Sequence, residues 1–258
     1  MGGPHGAVLG PMTDHERYHF DVYGYIVRRA VLSPNEVQAL NVAVDLLSLP
    51  EPGEQIMSQR FSRHLLSARC FRDLIDHEAV FEPTLEMRGE YVRLDHAYGI
   101  VMNPGQSGLG LHGGGTPHDP AQYYEVRAGR MYNGLVGAQW ALVDHRAGDG
   151  GFGCIPGSHR ANFRLPSPVP ADWIVEVPLG AGDVVLFTEA LTHCTIPWRG
   201  ASTRRTLLYK YAPGHLAWGK NYGADLAELV GSGLLTERQR VLMDGPSVSP
   251  RQSLLKYR

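Results

Sequence analysis

Imidazole and guanidinium are the reactive groups that this chain sets in its most informative contexts. Between positions 110 and 210 run Gly110-Leu-His-Gly-Gly-Gly-Thr116, Gly151-Phe-Gly-Cys-Ile-Pro-Gly-Ser-His159 and Gly182-Asp-Val-Val-Leu-Phe187, then His193 and, eleven residues on, Arg204. A neutral imidazole can ligate a metal or carry a proton. A strand-borne arginine can grip a carboxylate through two parallel hydrogen bonds, which lysine does less well. Other chemistries find less support. No Gly-x-Ser-x-Gly elbow is present for a serine nucleophile. Gly148-Asp-Gly-Gly-Phe-Gly153 has the glycines of a phosphate loop but not its Gly-Lys-Ser/Thr ending, and reads as a tight turn. Cys70, Cys154 and Cys194 are odd in number and lack Cys-x-x-Cys spacing. That argues against a disulfide framework or a zinc ribbon and fits a reduced, cytoplasmic compartment.

Histidines so far apart in the chain can meet only if strands bring them together. After a loose tail, residues 25–31 read as a short strand. Ser33-Pro34-Asn35-Glu36 then supplies an N-cap, a proline at the first helical position and the acid of a capping box. Val37, Leu40, Val44 and Leu47 follow at helical spacing, with Pro50 as the stop. Helices are expected over 67–75 and from Glu78 towards Glu90, the latter interrupted near Pro83. From Arg93 the character changes. Short β-favouring runs at 97–102, 134–143, 173–177, 184–187 and 206–211 alternate with glycine turns, the pattern of an antiparallel sandwich or barrel. Residues 225–244 read as helical again, with Thr236 and Gln239 spaced as a second capping box. The expectation is one α+β domain over 1–258, with a helical region at about 14–92, a β core at about 93–213 and a closing helical segment at about 214–258.

Composition bounds the partners. A net charge of −2 lacks the basic footprint that a polymeric nucleic acid demands. A hydrophobic content of 43% supplies a core and excludes a wholly disordered chain. No apolar run reaches the roughly 18 residues of a membrane-spanning helix, and residues 1–11 lack the apolar centre of a secretory leader. Nothing in the pattern sets an oligomeric state.

Taken together, the segments named above resemble the phytanoyl-CoA dioxygenase family of iron(II)- and 2-oxoglutarate-dependent oxygenases, from Phe20-Asp-Val-Tyr-Gly-Tyr25 to about Tyr211. The resemblance implies a double-stranded β-helix, a jelly-roll or cupin-like core with flanking helices, and iron(II), 2-oxoglutarate and dioxygen as cofactors. It makes His112 and His193 the iron ligands and Arg204 the partner of the distal carboxylate of 2-oxoglutarate. Arg205, on the opposite strand face, is the fallback. Thr195 matches a position whose hydroxyl assists the same carboxylate. His159 matches the family's turn and reads as structural, while His145 and His215 carry no ligand context. His19-Phe20-Asp21 stands where the family shows no ligand.

The sequence departs from the family at one point. Most such oxygenases use His-x-Asp or His-x-Glu, whereas Gly113 and Gly114 follow His112. A small residue in that place resembles the related iron halogenases, with chloride filling a pocket at Gly114 and restoring the charge of the lost carboxylate. Chlorination of an unactivated C–H bond in a free small metabolite, as in secondary metabolism, is the leading expectation. The alternative is a hydroxylase or other 2-oxoglutarate-dependent oxygenase, with water or a returning Asp119 in the same place. The triple glycine also has a plain structural account, a tight turn with close backbone approach. A third reading is a non-catalytic binding protein on the same fold. Arg60, Arg63, Arg69 and Arg72 could take the phosphate or carboxylate of a nucleotide or an amino acid, or form a solvated helix face. Trp140, Phe152 and Trp198 either line the pocket or pack.

Overall fold

Thr13 accepts a hydrogen bond from the Glu16 N–H while the Glu16 carboxylate reaches back to the Thr13 N–H, so a capping box opens α1 (Asp14–Tyr23) and Gly24, at φ 84°, ends it. The stretch ahead of the first strand is therefore helix rather than loose tail, and Thr-Asp-His-Glu was its legible signature. The computed structural model describes residues 9–50, 58–219 and 222–258; residues 1–8, most of the stretch read as free of a leader, lie outside these. After β1 (Tyr25–Arg28), Ser33 and Pro34 start α2 (Pro34–Leu46) as their spacing predicts. β2 (Gln59–Phe61), α3 (His64–Ser67), α4 (Arg69–Asp73) and α5 (Glu78–Arg88) follow.

The β-rich part holds β3 (Arg93–Met102), β4 (Tyr124–Arg127), β5 (Arg130–Asn133), β6 (Val136–Ala141), β7 (Gly151–Cys154), β8 (Val175–Glu176), β9 (Val184–Thr188), β10 (His193–Ile196) and β11 (Arg204–Ala212). α6 (Tyr222–Gly231) and α7 (Glu237–Leu242) close the chain, the latter on the expected Thr236/Gln239 capping box. A six-stranded sheet runs in the order β1-β9-β6-β11-β3-β2 and a three-stranded sheet in the order β10-β7-β8, with every pairing antiparallel. The sheets meet through an apolar cluster in which the Phe152 and Phe187 rings stand 4.8 Å apart.

Strand alternation gives the large sheet two different faces. Leu207, Tyr209 and Tyr211 of β11 join the main hydrophobic core under the helices, where the two tyrosine hydroxyls donate to the Phe71 and Ile75 carbonyls. Arg204, Thr206 and Lys210 alternate with them towards the small sheet. Trp140 packs on the helix side, edge-on to His77, so it does not line the interior.

Several expected boundaries are corrected. β1 is the strand expected at 25–31, ending at Arg28, whereas β2 falls in the region read as helical and yet joins the large sheet. The 67–75 helix breaks at Ala68, whose extended backbone (φ −144°, ψ 149°) separates α3 from α4. α5 instead runs through Pro83. Proline lacks the N–H that would bond the Ala79 carbonyl, and the Arg28 guanidinium fills that acceptor at 3.2 Å. Half of the glycine cluster read as a turn is strand, since Gly151–Cys154 pairs with β10. Trp173 lies in a 3₁₀ turn ahead of β8 rather than in the strand. The unpredicted β4–β5 hairpin turns through Ala128 and Gly129, at φ 49° and 73°.

His64 is buried with no hydrogen-bond partner at either ring nitrogen, edge-on to Phe61, Phe71 and Tyr209. Burial holds its imidazole down at about 4. Between that value and the unfolded value near 6.5, the unfolded chain binds the extra proton, so stability falls as pH falls through this window. At pH 5 the group costs about 2 kcal/mol relative to neutral pH. Urea unfolding at pH 7 and pH 5 should show His64→Phe losing about 2 kcal/mol less than the parent over that interval; an identical loss in both would show that His64 is not the buried neutral group described.

Candidate active site

The loop carrying His112 runs antiparallel to the start of β10. The His112 N–H donates to the His193 carbonyl at 2.8 Å and the His193 N–H to the His112 carbonyl at 2.9 Å. Their ring centroids lie 4.2 Å apart. His112 Nδ1 is 2.8 Å from the Gly110 carbonyl and His193 Nδ1 is 2.7 Å from the Leu191 carbonyl. A carbonyl only accepts, so each Nδ1 carries the proton and each Nε2 presents its lone pair. Two such nitrogens side by side suit a divalent transition metal. Burial holds the His193 imidazole down at about 4 against the pull of the nearby Glu189 carboxylate, which keeps it in the neutral, ligating form.

The glycines after His112 press this loop against the turn between β9 and β10. A Cβ on Gly113 would lie 2.8 Å from both the Glu189 and Leu191 carbonyl oxygens, and its φ is +77°. Gly114, at φ +98°, donates its N–H to the Glu189 carbonyl at 3.1 Å. A Cβ there would meet Thr192 Oγ1 at 3.1 Å, with no backbone within 4 Å. Close backbone approach thus accounts for Gly113, and a left-handed backbone for both.

Arg204 is buried, its Nε has no hydrogen-bond partner, and its Nη1 makes a weak bond to the Met102 thioether at 3.2 Å. Burial lowers its guanidinium to about 10, so it stays cationic at neutral pH. His145 shares this recess: a Cβ on Gly151 would lie 3.3 Å from both Arg204 Nε and His145 Nδ1. Both His145 nitrogens are buried without partners, and burial, followed by the Arg204 charge, drives the ring down to about 2. The sequence showed no context for His145, yet the fold sets it beside the one arginine expected to hold a carboxylate. Thr195 stands two residues beyond His193, on the same face of β10 and opposite Phe152. Arg205 points the other way, to Asp45 at 2.6 Å and to Asn41.

Glu189 and Lys210 were not anticipated. Both are buried and their side chains form an ion pair, with Glu189 Oε2 3.9 Å from His193 Nε2. Burial pushes the Glu189 carboxyl up, but Lys210 and the two imidazoles override it and hold it at about 2. A lysine within the apolar run Thr206-Leu-Leu-Tyr-Lys-Tyr211 was the available signal, since a charge in a buried strand demands a partner. Asp119 accepts from the Ala121 N–H at 2.7 Å and forms no metal-holding group with the two histidines. As they stand, no three His, Cys, Asp or Glu side chains among the described residues are placed to hold a metal ion.

Beside His112 opens a cleft of about 420 Å³, bounded by Gly114, Thr192, Phe163, Arg164 and Trp173. The arginines considered for substrate do not gather there. Arg60 lies 3.6 Å over the Tyr98 ring, Arg63 pairs with Glu228, Arg69 with Asp73, and the buried Arg72 donates to the Leu65 carbonyl. Phe152 packs in the interior, 6.0 Å from the His193 ring, and Trp198 packs on His145. His159 packs edge-on to Tyr124, with its Nε2 3.1 Å from the Asp21 carbonyl.

Solved structures share this architecture. HygX from Streptomyces hygroscopicus, with nickel and 2-oxoglutarate bound, superposes with a TM-score of 0.71 at 24% identity, covering 81% of this chain and 90% of that one. The 2-oxoglutarate-dependent carbocyclase SnoK of nogalamycin biosynthesis gives 0.62 at 19% identity, over 80% and 88%. EvdO2 from Micromonospora carbonacea var. aurantiaca, complexed with 2-oxoglutarate, gives 0.58 at 18% identity, over 81% and 94%. No curated protein matches the chain by sequence. The fold is that of non-haem, 2-oxoglutarate-dependent enzymes. A model of phytanoyl-CoA dioxygenase (PhyH) matches residues 20–206, and the chain belongs to that family of iron(II)/2-oxoglutarate-dependent oxygenases.

Calorimetric titration under anaerobic conditions should show Arg204→Ala weakening 2-oxoglutarate binding by about 2–5 kcal/mol, as for loss of one partner of a buried charge pair, and Arg205→Ala changing it little. Equal losses would mean that the strand phase is wrong. His112→Ala and His193→Ala should each abolish iron(II) binding while the chain stays folded by circular dichroism.

Proposed function

We propose that this enzyme uses iron(II), 2-oxoglutarate and dioxygen to oxidise an unactivated C–H bond in a small metabolite. His112 and His193 ligate the iron and Arg204 holds the distal carboxylate of 2-oxoglutarate. The observation that carries this reading is the buried Arg204, whose Nε has no partner, in the same fold as a histidine pair whose Nδ1 atoms are bonded to carbonyls and whose Nε2 lone pairs are left for a metal. The residues fit the cofactors: a carboxylate would satisfy Arg204 Nε and a His145 nitrogen that the fold leaves without partners. In this reading the two facing sheets are the double-stranded β-helix that the family resemblance implies.

Iron with its co-substrate supplies the oxidising power, in the overall reaction RH + 2-oxoglutarate + O2 → ROH + succinate + CO2. The protein's share is positioning. Backbone carbonyls lock both imidazole tautomers, Arg204 sets the reach of the co-substrate, and Phe152 and Phe187 make the wall behind His193 apolar. The substrate is assigned to the cleft beside His112, where Trp173 and Phe163 offer apolar faces and Arg164 a cation. A nucleotide or an amino acid suits that combination. HygX has been solved with hygromycin B bound, so a relative in fold admits a small polar molecule.

Chlorination through a halide at Gly114 keeps one observation in its favour, the lack of backbone around a Cβ at that position. Against it, Gly113 and Gly114 have a conformational reason to be glycine, and the Glu189 carboxylate already brings an anion to the histidine pair. Oxygenation is the better-supported outcome. Incubating the enzyme with a metabolite pool under ¹⁸O₂, with and without chloride or bromide, should give an ¹⁸O-labelled product and succinate indifferent to halide. A chlorinated product would reverse the choice, and absence of any 2-oxoglutarate turnover would remove the oxidation reading itself.

A further inference from the structure

We propose that Glu189 supplies the carboxylate arm of the metal site, taking the place that the sequence leaves empty two residues after His112. This deepens the oxidation reading and rests on it. The acid arrives from the turn after β9, four residues ahead of His193, and its backbone carbonyl accepts the N–H of Gly114 at 3.1 Å. The residue bearing the carboxylate is thus hydrogen-bonded to the very position where a His-x-Asp motif would carry its acid. Glu189 Oε2 lies 3.9 Å from His193 Nε2. Ligands at about 2.0–2.2 Å from one ion, at right angles, stand roughly 3 Å apart, so the Glu189 carboxylate has to close on His193 by about 1 Å to share an ion with it.

Lys210 fixes which oxygen is offered. Its Nζ bonds Glu189 Oε1 after crossing 4.4 Å over the Phe187 ring, and Gly137 clears its path, since a Cβ there would lie 2.9 Å from Nζ. With Oε1 engaged, Oε2 is left on the His193 side to act as a one-oxygen ligand. The charge also closes. Iron(II), dianionic 2-oxoglutarate and one glutamate sum to −1, the ligand charge of a His-x-Asp centre, with the Lys210 ammonium standing outside that count on the far oxygen.

The test is anaerobic iron(II) titration of the full chain, with and without 2-oxoglutarate, following the metal-to-ligand absorption band. Wild-type binding is the control, and its absence would count against the oxidation reading rather than against Glu189. Glu189→Gln should weaken iron(II) binding at least about tenfold, the least that removal of even a ligand's supporting partner costs, and should shift the band. The double variant Glu189→Leu/Lys210→Met removes the whole ion pair without stranding a buried charge, so it keeps the fold testable. It should bind iron(II) as poorly as Glu189→Gln. If the double variant regains wild-type affinity, Glu189 serves only to neutralise Lys210 and the proposal falls. It falls equally if both variants bind iron(II) with wild-type affinity and an unshifted band.

Discussion

Two backbone hydrogen bonds between His112 and His193 hold a loop from one part of the chain against a strand from another, and the histidine end of the site follows from them. Antiparallel pairing at a single residue pair sets the two Cα atoms abreast, so the imidazoles are neighbours by construction. The loop can come that close only because Gly113 has no Cβ to strike the Glu189 and Leu191 carbonyls. The same contact brings Gly114 onto Glu189, and the Leu191 carbonyl that crowds Gly113 is the one that orients His193 Nδ1. One short stretch of backbone therefore positions both imidazoles, sets the tautomer of one, and delivers a carboxylate to their side.

The large sheet separates what stabilises the chain from what equips it for chemistry. On the helix side, Leu207, Tyr209 and Tyr211 share a continuous core with residues from α2, α4 and α5, and the tyrosine hydroxyls find carbonyl partners. On the inner side, Arg204 Nε, Thr206 Oγ1 and Gln139 Nε2 are buried without partners. The alternation of a single strand, β11, produces both surfaces.

The family resemblance named Arg204 and left Arg205 as the fallback on the opposite strand face, and the alternation of β11 gives the two their different surroundings. Their neighbours Leu207 and Tyr209 mark the core-facing parity, and Arg205 shares it at the edge, where it meets Asp45 of α2. The capping boxes at Ser33 and Thr236 and the glycine-punctuated strands were legible because each rests on local chemistry, whereas His112 and His193 were singled out by the family resemblance. What escaped depends on contacts between distant segments. β2 is three residues long and gains its identity from pairing with β3. Gly151–Cys154 looks like a turn until β10 lies beside it. The persistence of α5 through Pro83 needs Arg28, 55 positions earlier in the chain. Glu189 and Lys210 lie 21 residues apart and become partners only once β9 and β11 flank β6.

The Glu189–Lys210 pair is costly if stability is its only role. Removing a carboxylate and an ammonium from water costs several kcal/mol per ion, and an apolar pair of similar volume would serve the core as well or better. The pair nevertheless occupies the inner surface, where an orphaned arginine and His145 also lie within the fold. A protein interior tolerates such groups when something else completes them. Here the incomplete valences fall into two sets. Arg204 and His145 present donors suited to an anion, while His112 and His193, with Glu189 beside them, present lone pairs suited to a cation. In the reading proposed above, a co-substrate that chelates a cation at one end and ends in a carboxylate at the other would match both sets at once.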